Sequence, residues 1–379
     1  MRILGGRIAM AAIGNAADPG LWSGTPSNLF RGLERLGADV VALDVTPPAR
    51  RAIVDAVAAP WVLARIPRLG LRSAVDRSRR AALQSMAYSA ACSARAKQLL
   101  SQLGPFDAVI QIGTGYRIDH PRVVSYEDMT IRQALRWPET CWGDVPRWTV
   151  TRRLRFQSER YRANAAAAFA TPWAAASAVA DLGCPPEKAH AVGIGANHAV
   201  ARETPRRWTT PRFLFPARAW EAKGGPDVVE AFARVREAHP EAELHLAGVH
   251  PPVAEPGVVS HGNLDLRSPA DRQRMADLWA MATCCVVPSR YEAAGIVYVE
   301  ALHAGVPSVG TTEGGAGCVI GDGGIVVRPG RVDELTSAML RFADPATAQA
   351  VGRLGRRRAP EFTWASVCTK LAEIIDGAP

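Results

Sequence analysis

The sequence predicts an α/β fold made of parallel βαβ units, on the evidence of its pattern and its length. Short apolar runs alternate with helical patterns along all 379 residues, as expected for parallel strands joined by crossover helices. Hydrophobic residues make up 48% of the chain, and a single core stops growing at about 250–300 residues. We therefore expect two domains, each with its own core.

The first predicted domain covers residues 1–204 and begins with a strand within residues 3–13. A helix starts at Pro26 with Thr25 as its N-cap, because threonine caps helices and proline is favoured in the first turn. Gly37 ends that helix. Later strands follow the same alternation, at residues 40–43, 108–112, 122–126, 166–170 and 191–194, with a long helix at residues 82–103.

A glycine-containing loop joins the first strand to its helix. In Ser23-Gly24-Thr25 the glycine lets backbone N–H groups approach an anion at the helix N-terminus. Gly24 is therefore a candidate ligand contact, although many such loops contain glycine for turn geometry alone. Neither this loop nor Gly113-Thr114-Gly115 matches the dinucleotide pattern GxGxxG, and the sequence contains no Walker lysine motif.

The second predicted domain covers residues 212–360 and repeats the alternation after a polar linker at residues 205–211. Its strands are expected at residues 213–218, 243–247, 283–287 and 325–327, and its helices at residues 226–239, 270–281 and 295–304. A last helix within residues 361–379 is a candidate to return to the first domain.

Two cations and two carboxylates carry the chemistry of the second domain. Arg218 ends a strand, and Lys223 stands before a Gly-Gly helix start. Forked arginine donors, a lysine point charge and helix N–H groups together suit a diphosphate. Glu292, on a loop after a strand, and Glu300, in the next helix, can face one crevice at the carboxyl ends of the strands. Ordinary solvated charges are the alternative reading for both pairs.

The net charge of +9 is concentrated in the first half of the chain. Residues 1–200 contain 25 Lys/Arg and 15 Asp/Glu, whereas residues 201–379 contain 20 and 21. Eight arginines lie within residues 50–80, around Trp61-Val62-Leu63. Such a basic, partly apolar segment can lie on an anionic membrane. A phosphorylated acceptor and a solvated basic face are the alternatives. Nucleic acid is not expected, because the arginine runs lack interleaved stacking aromatics on a recognisable nucleic-acid-binding module.

Targeting and metal signals are weak or missing in the sequence. No run approaches the roughly 18 apolar residues that span a bilayer, and the start does not resemble a signal peptide. We expect a cytoplasmic protein, with peripheral contact at the inner face of the membrane through the basic segment. The seven cysteines lack zinc-site spacing, so we expect reduced thiols and no structural metal.

Three residues of the first half are candidates for contact with an acceptor. Asp128 follows a predicted strand at its carboxyl end, His120 lies in the loop before that strand, and Trp137 opens a loop rich in tryptophan and proline. A single histidine in a loop is more often a surface residue than a base. Asp128 is the stronger candidate of the three.

Several motifs recur in a recognisable order along the chain. The second half contains Phe215-Pro216-Ala217-Arg218, Lys223-Gly224-Gly225, Val287-Pro288-Ser289, Glu292, Gly295, Glu300-Ala301, Gly305-Val306-Pro307 and Gly314-Gly315. The first half contains Trp22-Ser23-Gly24-Thr25-Pro26, Tyr126-Glu127-Asp128-Met129-Thr130, Thr171-Pro172-Trp173 and Gly195-Ala196-Asn197. Together they resemble a bacterial branch of the retaining glycosyltransferases of family 4.

The resemblance implies the GT-B fold, in which two Rossmann-like domains face a central cleft. It implies an N-terminal domain for the acceptor and a C-terminal domain for a nucleotide-sugar, with a UDP-sugar favoured and a GDP-sugar next. The implied activity is transfer of the sugar to an acceptor hydroxyl with retention of configuration, without a metal or other cofactor. The acceptor could be anionic or lipid-linked.

The resemblance also implies roles for individual residues. Arg218 and Lys223 would hold the donor diphosphate and offset its charge as it leaves. Glu300 would bind the ribose hydroxyls, and Glu292 would face the transferred sugar. Further donor contacts would come from Gly24, Gly295 and Ile296. The residues assigned to catalysis are Glu292, Arg218, Lys223 and Asp128.

The sequence departs from the family pattern beside the first glutamate. Ala293-Ala294 stand where relatives usually have proline or glycine and then phenylalanine, which leaves the donor sugar open. The histidine that many relatives present near the sugar has no clear match. Two alternatives therefore remain: another GT-B enzyme (an epimerase or a phosphorylase), and a sugar-nucleotide-binding or membrane-surface scaffold without turnover.

Overall fold

The computed structural model describes residues 5–137, 140–197 and 206–377. The chain divides into two compact units. One extends to Gly193 and includes the segment from Trp364 onward; the other runs from Ile194 to Thr363. The predicted end of the first domain at residue 204, and residue 205 of the predicted linker, lie outside the described residues.

A parallel sheet forms the centre of the first unit. Its strands within the described residues are β1 (Arg7–Ala12), β2 (Asp39–Asp44), β3 (Ala108–Ile112), β4 (Val123–Glu127), β5 (Ala166–Phe169) and β6 (Ala189–Ala191). Their order is β2-β1-β3-β4-β5-β6. The chain moves from β1 to one side and then returns to its other side. Loops after β1 and β3 therefore diverge at their carboxyl ends, where open α/β sheets bind ligands.

Helices cover this sheet because its strands are apolar on both faces, as in other parallel sheets. They are α1 (Thr25–Arg35), α2 (Arg50–Leu69), α3 (Leu71–Ala82), α4 (Met86–Leu103), α5 (Ile131–Ala134), α6 (Arg147–Ala163) and α7 (Pro172–Leu182). Every residue of β3 and β4 is buried. Leu29 and Leu33 of α1 lie in the core.

Three local predictions for the first unit need correction. Thr25 is the first residue of α1 rather than its N-cap, and Gly24 takes the cap position at φ 91°. The helix predicted at residues 82–103 begins at Met86 because the Ser85 hydroxyl accepts the Tyr88 N–H and caps it. The last strand lies at Ala189–Ala191, two to three residues before the predicted position.

The second unit repeats the architecture with the strand order of a dinucleotide-binding sheet. Its strands are β7 (Arg212–Pro216), β8 (Glu243–Ala247), β9 (Val258–Gly262), β10 (Cys284–Val286), β11 (Ser308–Thr311) and β12 (Gly324–Val327). They are parallel in the order β12-β11-β10-β7-β8-β9. The direction of winding reverses between β7 and β10, so the switch-point crevice opens at the carboxyl ends of these two strands.

Six helices of the described chain accompany this sheet. They are α8 (Gly225–Ala238), α9 (Pro269–Met281), α10 (Ile296–Ala304), α11 (Ala316–Ile320), α12 (Val332–Ala343) and α13 (Pro345–Arg358). The sequence did not predict β9, because this strand is half-exposed and carries no long apolar run. Adjacent Cys284 and Cys285 are both buried in β10, consistent with a strand covered on both faces.

The final helix, α14 (Trp364–Gly377), belongs to the first unit and packs on α1. A Cβ on Gly32 would lie 2.4 Å from Cys368 Sγ, so the two helices approach closely because residue 32 has no side chain. All seven cysteines are unpaired. No helix in the described ranges is both long enough and apolar enough to cross a membrane.

Candidate functional site

The candidate residues of the second unit gather at its switch point. Arg218 stands two residues after β7, Glu292 follows β10, and the glycine pair at 314–315 follows β11. These strands are neighbours in the sheet. Since parallel strands end at one edge, the structure brings together the loops that the sequence predicted to carry ligand contacts.

Lys223 and Glu292 form an ion pair at this edge. Lys223 Nζ donates to Glu292 Oε2 at 2.5 Å, and Ser289 Oγ donates to the same oxygen at 3.3 Å. The two charged side chains are 29% and 13% exposed. A pair this sheltered is screened less by water and salt than a surface pair. The pair therefore holds both side chains in place.

Backbone contacts fix the position of Glu292. Its N–H donates to the Glu313 carbonyl at 3.1 Å, and its own carbonyl accepts the Gly315 N–H at 2.9 Å. Gly314 has φ 100°, and a Cβ there would lie 1.9 Å from the Glu292 carbonyl oxygen. Glycine is therefore required at 314 both by its left-handed backbone and by this close approach.

A second ion pair ties the loop after β10 to the start of α8. Arg290 Nη2 donates to Asp227 Oδ1 at 3.0 Å, and Arg290 Nη1 lies 2.9 Å from Asp227 Oδ2. The Arg290 N–H donates to the Ala222 carbonyl at 2.8 Å. Both contacts flank Lys223 and keep it beside Glu292. No sequence pattern indicates this pair, because an aspartate in a first helical turn is ordinary.

The Gly-Gly step before α8 has a packing role. Gly224 has φ 77°, and a Cβ on it would lie 2.6 Å from the Pro288 carbonyl oxygen. A Cβ on Gly225 would meet the Trp220 ring at 2.3 Å. Both glycines thus let the start of this 14-residue helix approach its neighbours closely. The helix N-terminus still adds positive potential beside Lys223.

Arg218 is exposed at the end of β7. Within the described chain its guanidinium makes no hydrogen bond or ion pair, in contrast to Arg290 in the neighbouring loop. An arginine without a partner keeps all five of its donors available. The structure therefore offers one paired cation and one unpaired cation at the same edge.

Glu300 lies on α10 in an environment that disfavours its charge. Burial raises the pKa of this carboxyl to about 8, although its side chain keeps some contact with solvent. No hydrogen bond or ion pair reaches the carboxyl from the described residues. A sheltered acidic group without a partner is a good hydrogen-bond site for hydroxyl groups of a ligand.

The turn into α10 depends on glycine. Gly295 has φ 84°, and a Cβ there would lie 2.3 Å from the Tyr298 ring and 3.1 Å from Glu292 Cγ. Tyr298 is anchored by its hydroxyl, which donates to the Val287 carbonyl at 2.6 Å. Ile296, half-buried, is the first helical residue. The side chains at Ala293-Ala294 are buried, so this departure from the family pattern lies beneath the loop surface.

In the first unit, the loop after β1 has an unusual backbone. Trp22 and Ser23 have φ 45° and 53°, and within the described residues they alone among non-glycines have positive φ. Gly24 continues the left-handed run at φ 91°. The Trp22 ring packs on Gly113, whose Cβ would lie 3.3 Å away. Left-handed backbone at non-glycine residues is costly and concentrates at functional sites. This conformation supports the prediction that the loop contacts a ligand.

The three acceptor candidates have different surroundings. Asp128 is half-buried at the carboxyl end of β4. His120 lies at the opposite edge, with Nε2 3.0 Å from the Phe106 carbonyl and Nδ1 accepting the Arg122 N–H. Trp137 is buried and packs on Trp173 with ring centroids 5.8 Å apart. These positions argue against acceptor contact by His120 and Trp137.

A buried polar network beside Asp128 was not predicted from the sequence. Glu127 accepts the N–H and hydroxyl of Thr114 at 2.8 and 2.7 Å. It also accepts from Gln157, at 3.3 Å, and from the Tyr161 hydroxyl. Burial raises the pKa of Glu127. Arg153 donates to the Gly115 carbonyl at 3.0 Å. Polar residues recur every four positions on α6, and this spacing could have identified the network. The network fixes the loop after β3.

The second unit is similar in sequence to a family of known proteins. Residues 210–344 match the family model described as Glycosyl transferases group 1. An MMP alpha-(1->4)-mannosyltransferase of Mycolicibacterium hassiacum is 29% identical over 218 residues, 54% of this chain and 52% of that protein. A GDP-mannose-dependent monoacylated alpha-(1-6)-phosphatidylinositol monomannoside mannosyltransferase of Corynebacterium glutamicum is 28% identical over 184 residues, 45% and 48%. The chain spans about half the length of these curated relatives.

The fold is matched over nearly the whole chain. The sucrose-phosphate synthase structure from Thermosynechococcus elongatus superposes with a TM-score of 0.67, covering 98% of each chain at 16% identity. At this identity the match bears on the fold, and it confirms the GT-B architecture predicted from the motifs. In the described ranges, no cluster of three or more His, Cys, Asp or Glu side chains could hold a metal ion.

Proposed function

We propose that this protein is a retaining glycosyltransferase, since residues 210–344 match the family model described as Glycosyl transferases group 1. It moves a sugar from a nucleotide-diphosphate-sugar to an acceptor hydroxyl and needs no metal. One observation carries the proposal: the Lys223–Glu292 ion pair lies at the same switch-point edge of the second sheet as Arg218, whose guanidinium has no partner among the described residues. This edge presents cations for a diphosphate together with carboxylates for sugar hydroxyls.

Donor binding redistributes the charges at this edge. The diphosphate contacts Arg218 and draws Lys223 Nζ away from Glu292, because phosphate oxygens carry more negative charge than one carboxylate. Glu292, still held through its backbone contacts to residues 313 and 315, is then available to the hydroxyls of the transferred sugar. Glu300 accepts hydrogen bonds from the ribose.

In the reaction, the bond between the anomeric carbon and the diphosphate oxygen breaks. The acceptor oxygen forms its bond on the same face of the sugar, and the leaving phosphate oxygen takes the acceptor proton. Negative charge grows on the diphosphate as it departs. Arg218 and Lys223 stabilise that charge in place of a metal. Removal of a single well-placed donor of this kind lowers the reaction rate by about 10²–10³-fold.

The nucleotide base of the donor is proposed from family frequency and from the name of a relative. The acceptor contact is proposed from the position of one residue. A UDP-sugar is the first donor to test, on family frequency. A GDP-sugar is the second, because the Corynebacterium relative is named as GDP-mannose-dependent. That name also supports a lipid-linked acceptor. Asp128 is the proposed acceptor contact, since it lies at the carboxyl edge of the first sheet.

Thermal shift with nucleoside diphosphates in EDTA tests donor binding. At 100 times its Kd, a ligand adds about 2.7 kcal/mol of stability, which corresponds to a rise in Tm of roughly 5–10 °C for a domain of this size. UDP or GDP should produce this shift, and Lys223→Ala should abolish it. Lys370→Ala, which removes an exposed lysine on α14, should keep it. Absence of a shift with every nucleoside diphosphate would overturn the proposal.

Turnover separates the proposal from the alternatives. Hydrolysis or transfer of a nucleotide-sugar by the pure protein excludes a scaffold without activity. Consumption of a disaccharide with free phosphate would instead identify a phosphorylase. Conversion of the sugar while it stays on its nucleotide would identify an epimerase.

A further inference from the structure

The solvent-facing side of α2 is apolar along its whole length. Its exposed residues between the terminal arginines recur every three or four positions and carry no charge: Ala52, Ala56, Ala59, Pro60, Leu63, Ala64 and Pro67. The opposite side, with Val54 and Ala58, is buried in the core. A surface helix of a globular protein normally turns a polar face to water, so α2 has an apolar face without a partner in its own unit.

Positive charge frames this apolar face. Residues 50–72 contain five arginines and one acidic residue, Asp55. Asp55 is already engaged by Arg79 at 2.8 Å. Within the described chain, the side chains of Arg50, Arg68 and Arg72 make no ion pair or hydrogen bond. The exposed face of α2 therefore ends in unneutralised cations on both sides.

Exposed apolar side chains extend the surface past the helix. Leu63 on α2 is 71% exposed, and Leu71, the first residue of α3, is 64% exposed. Trp148 is 56% exposed and meets Trp61 of α2 edge to face, with centroids 6.5 Å apart. Arg152 lies over the Trp148 ring at 5.5 Å. Tryptophan and arginine together are the residue types that occupy the boundary between lipid and water.

We propose that this surface, α2 with Leu71, Arg72 and Trp148, docks the protein on an anionic lipid bilayer. The apolar stripe enters the region between headgroups and acyl chains, as interfacial helices do. The unpaired arginines contact lipid phosphates from both ends of the stripe. Each cation near an anionic surface contributes about 1 kcal/mol, or roughly a fivefold gain in partitioning.

A second copy of the chain fits this surface poorly. Two-fold contacts place the same patch against itself. Because both ends of α2 are basic, with Arg50 and Arg51 at one end and Arg68 at the other, either parallel or antiparallel pairing would bring like charges together. An anionic bilayer complements both ends at once, which is why the charge pattern selects it.

Vesicle flotation of the full chain, without any donor, tests the proposal. The protein should bind vesicles of phosphatidylcholine with 30 mol% phosphatidylglycerol at least about 25-fold more strongly than phosphatidylcholine alone, and salt should weaken the binding. Arg68→Glu with Arg72→Glu should reduce binding to the anionic vesicles at least about 25-fold. Leu63→Glu should also reduce it, because it places a charge in the apolar stripe.

A matched set of control variants lies on α13. Leu354→Glu, and Arg353→Glu with Arg357→Glu, change the same residue types at exposed positions of the other unit. These variants should bind as the unchanged protein does, and all variants should keep its Tm because every altered side chain is exposed. Equal binding to both vesicle types, or equal losses from the α2 and α13 variants, would overturn the proposal. A dimer that Leu63→Glu converts to a monomer would overturn it in favour of a second copy.

Discussion

Lys223 Nζ lies 2.5 Å from Glu292 Oε2, so the cation proposed to bind the diphosphate is neutralised by the carboxylate proposed to face the sugar. The two side chains come from different loops, one before α8 and one after β10. Each side chain holds the other in position. In the proposed reaction a donor breaks this contact before both side chains can act on it, so mutation of the pair should separate binding from catalysis.

Replacing Glu292 should affect binding and transfer in opposite directions. Glu292→Gln removes the charge that competes with phosphate for Lys223, so the Kd for the nucleoside diphosphate should fall by about three- to tenfold, as for loss of a pair worth about 1 kcal/mol. Transfer should slow by about 100-fold or more, because the variant loses a contact to the reacting sugar. Calorimetry and initial rates measure the two effects. Glu237→Gln, at an exposed position on α8, should change neither the Kd nor the transfer rate. Weaker nucleotide binding by Glu292→Gln would refute the competition between Glu292 and phosphate for Lys223.

The Arg290–Asp227 pair should support nucleotide binding from a distance. Asp227→Asn leaves Arg290 without its counter-charge and loosens the loop that carries Ser289 and Glu292. We expect a loss of about 1–2 kcal/mol in stability, since the pair is partly buried, and a weaker affinity for the nucleoside diphosphate. Thermal unfolding and calorimetry check both. Glu159→Gln, which breaks an exposed pair with Arg155, should stay within about 0.5 kcal/mol, and equal effects of the two substitutions would count against a special role for Asp227.

Gly314 should tolerate no side chain. Gly314→Ala places a Cβ 1.9 Å from the Glu292 carbonyl oxygen at a backbone with φ 100°. We expect a loss of roughly 2–3 kcal/mol or more from overpacking and backbone strain, together with reduced transfer. Gly317→Ala is the matched control. A Cβ at residue 317 has no neighbour closer than 4.0 Å, and alanine in this helix should stabilise by about 0.5–1 kcal/mol. Similar Tm values for both variants would contradict the assigned packing.

Glu300 should make the protein less stable as the pH rises. Burial raises its pKa from 4.5 to about 8, so between these values the unfolded chain releases a proton that the folded chain retains. Stability therefore falls from about pH 4.5 to about pH 8 and stays level above that. Glu300→Gln removes this penalty, so its free energy of unfolding should exceed that of the unchanged protein by an amount that grows across this window to about 2 kcal/mol, after allowance for partial exposure. Thermal unfolding at a series of pH values should show the corresponding growth of the Tm difference. A Tm difference that is independent of pH would contradict the assigned environment.

The sequence was most informative where function depends on strand ends. Arg218 and Glu292 could be placed together because each follows a predicted strand, and parallel strands finish at one edge. The order of the motifs predicted the GT-B fold. In contrast, Asp227 and Arg290 carry no local pattern, since their pairing depends on how a loop meets a helix start.

The remaining differences have similar physical causes. The edge strand β9 was missed because exposed edge positions lack the apolar run that marks a buried strand. His120 was kept as a candidate since a sequence does not show at which edge of a sheet a loop residue lies. The sequence predicted a basic, partly apolar segment at residues 50–80 that can lie on a membrane, but it did not show which apolar residues face outward. The burial of Val54 and Ala58 shows which side of α2 faces inward.

Turnover of a nucleotide-sugar in EDTA, followed by NMR of the product, tests most directly whether the protein transfers a sugar with retention and without a metal. We predict a product that keeps the anomeric configuration of the donor. It also predicts that Lys223→Ala lowers turnover by at least about 100-fold and that Lys370→Ala leaves it unchanged. Inverted configuration, or turnover that does not depend on Lys223, would contradict the account.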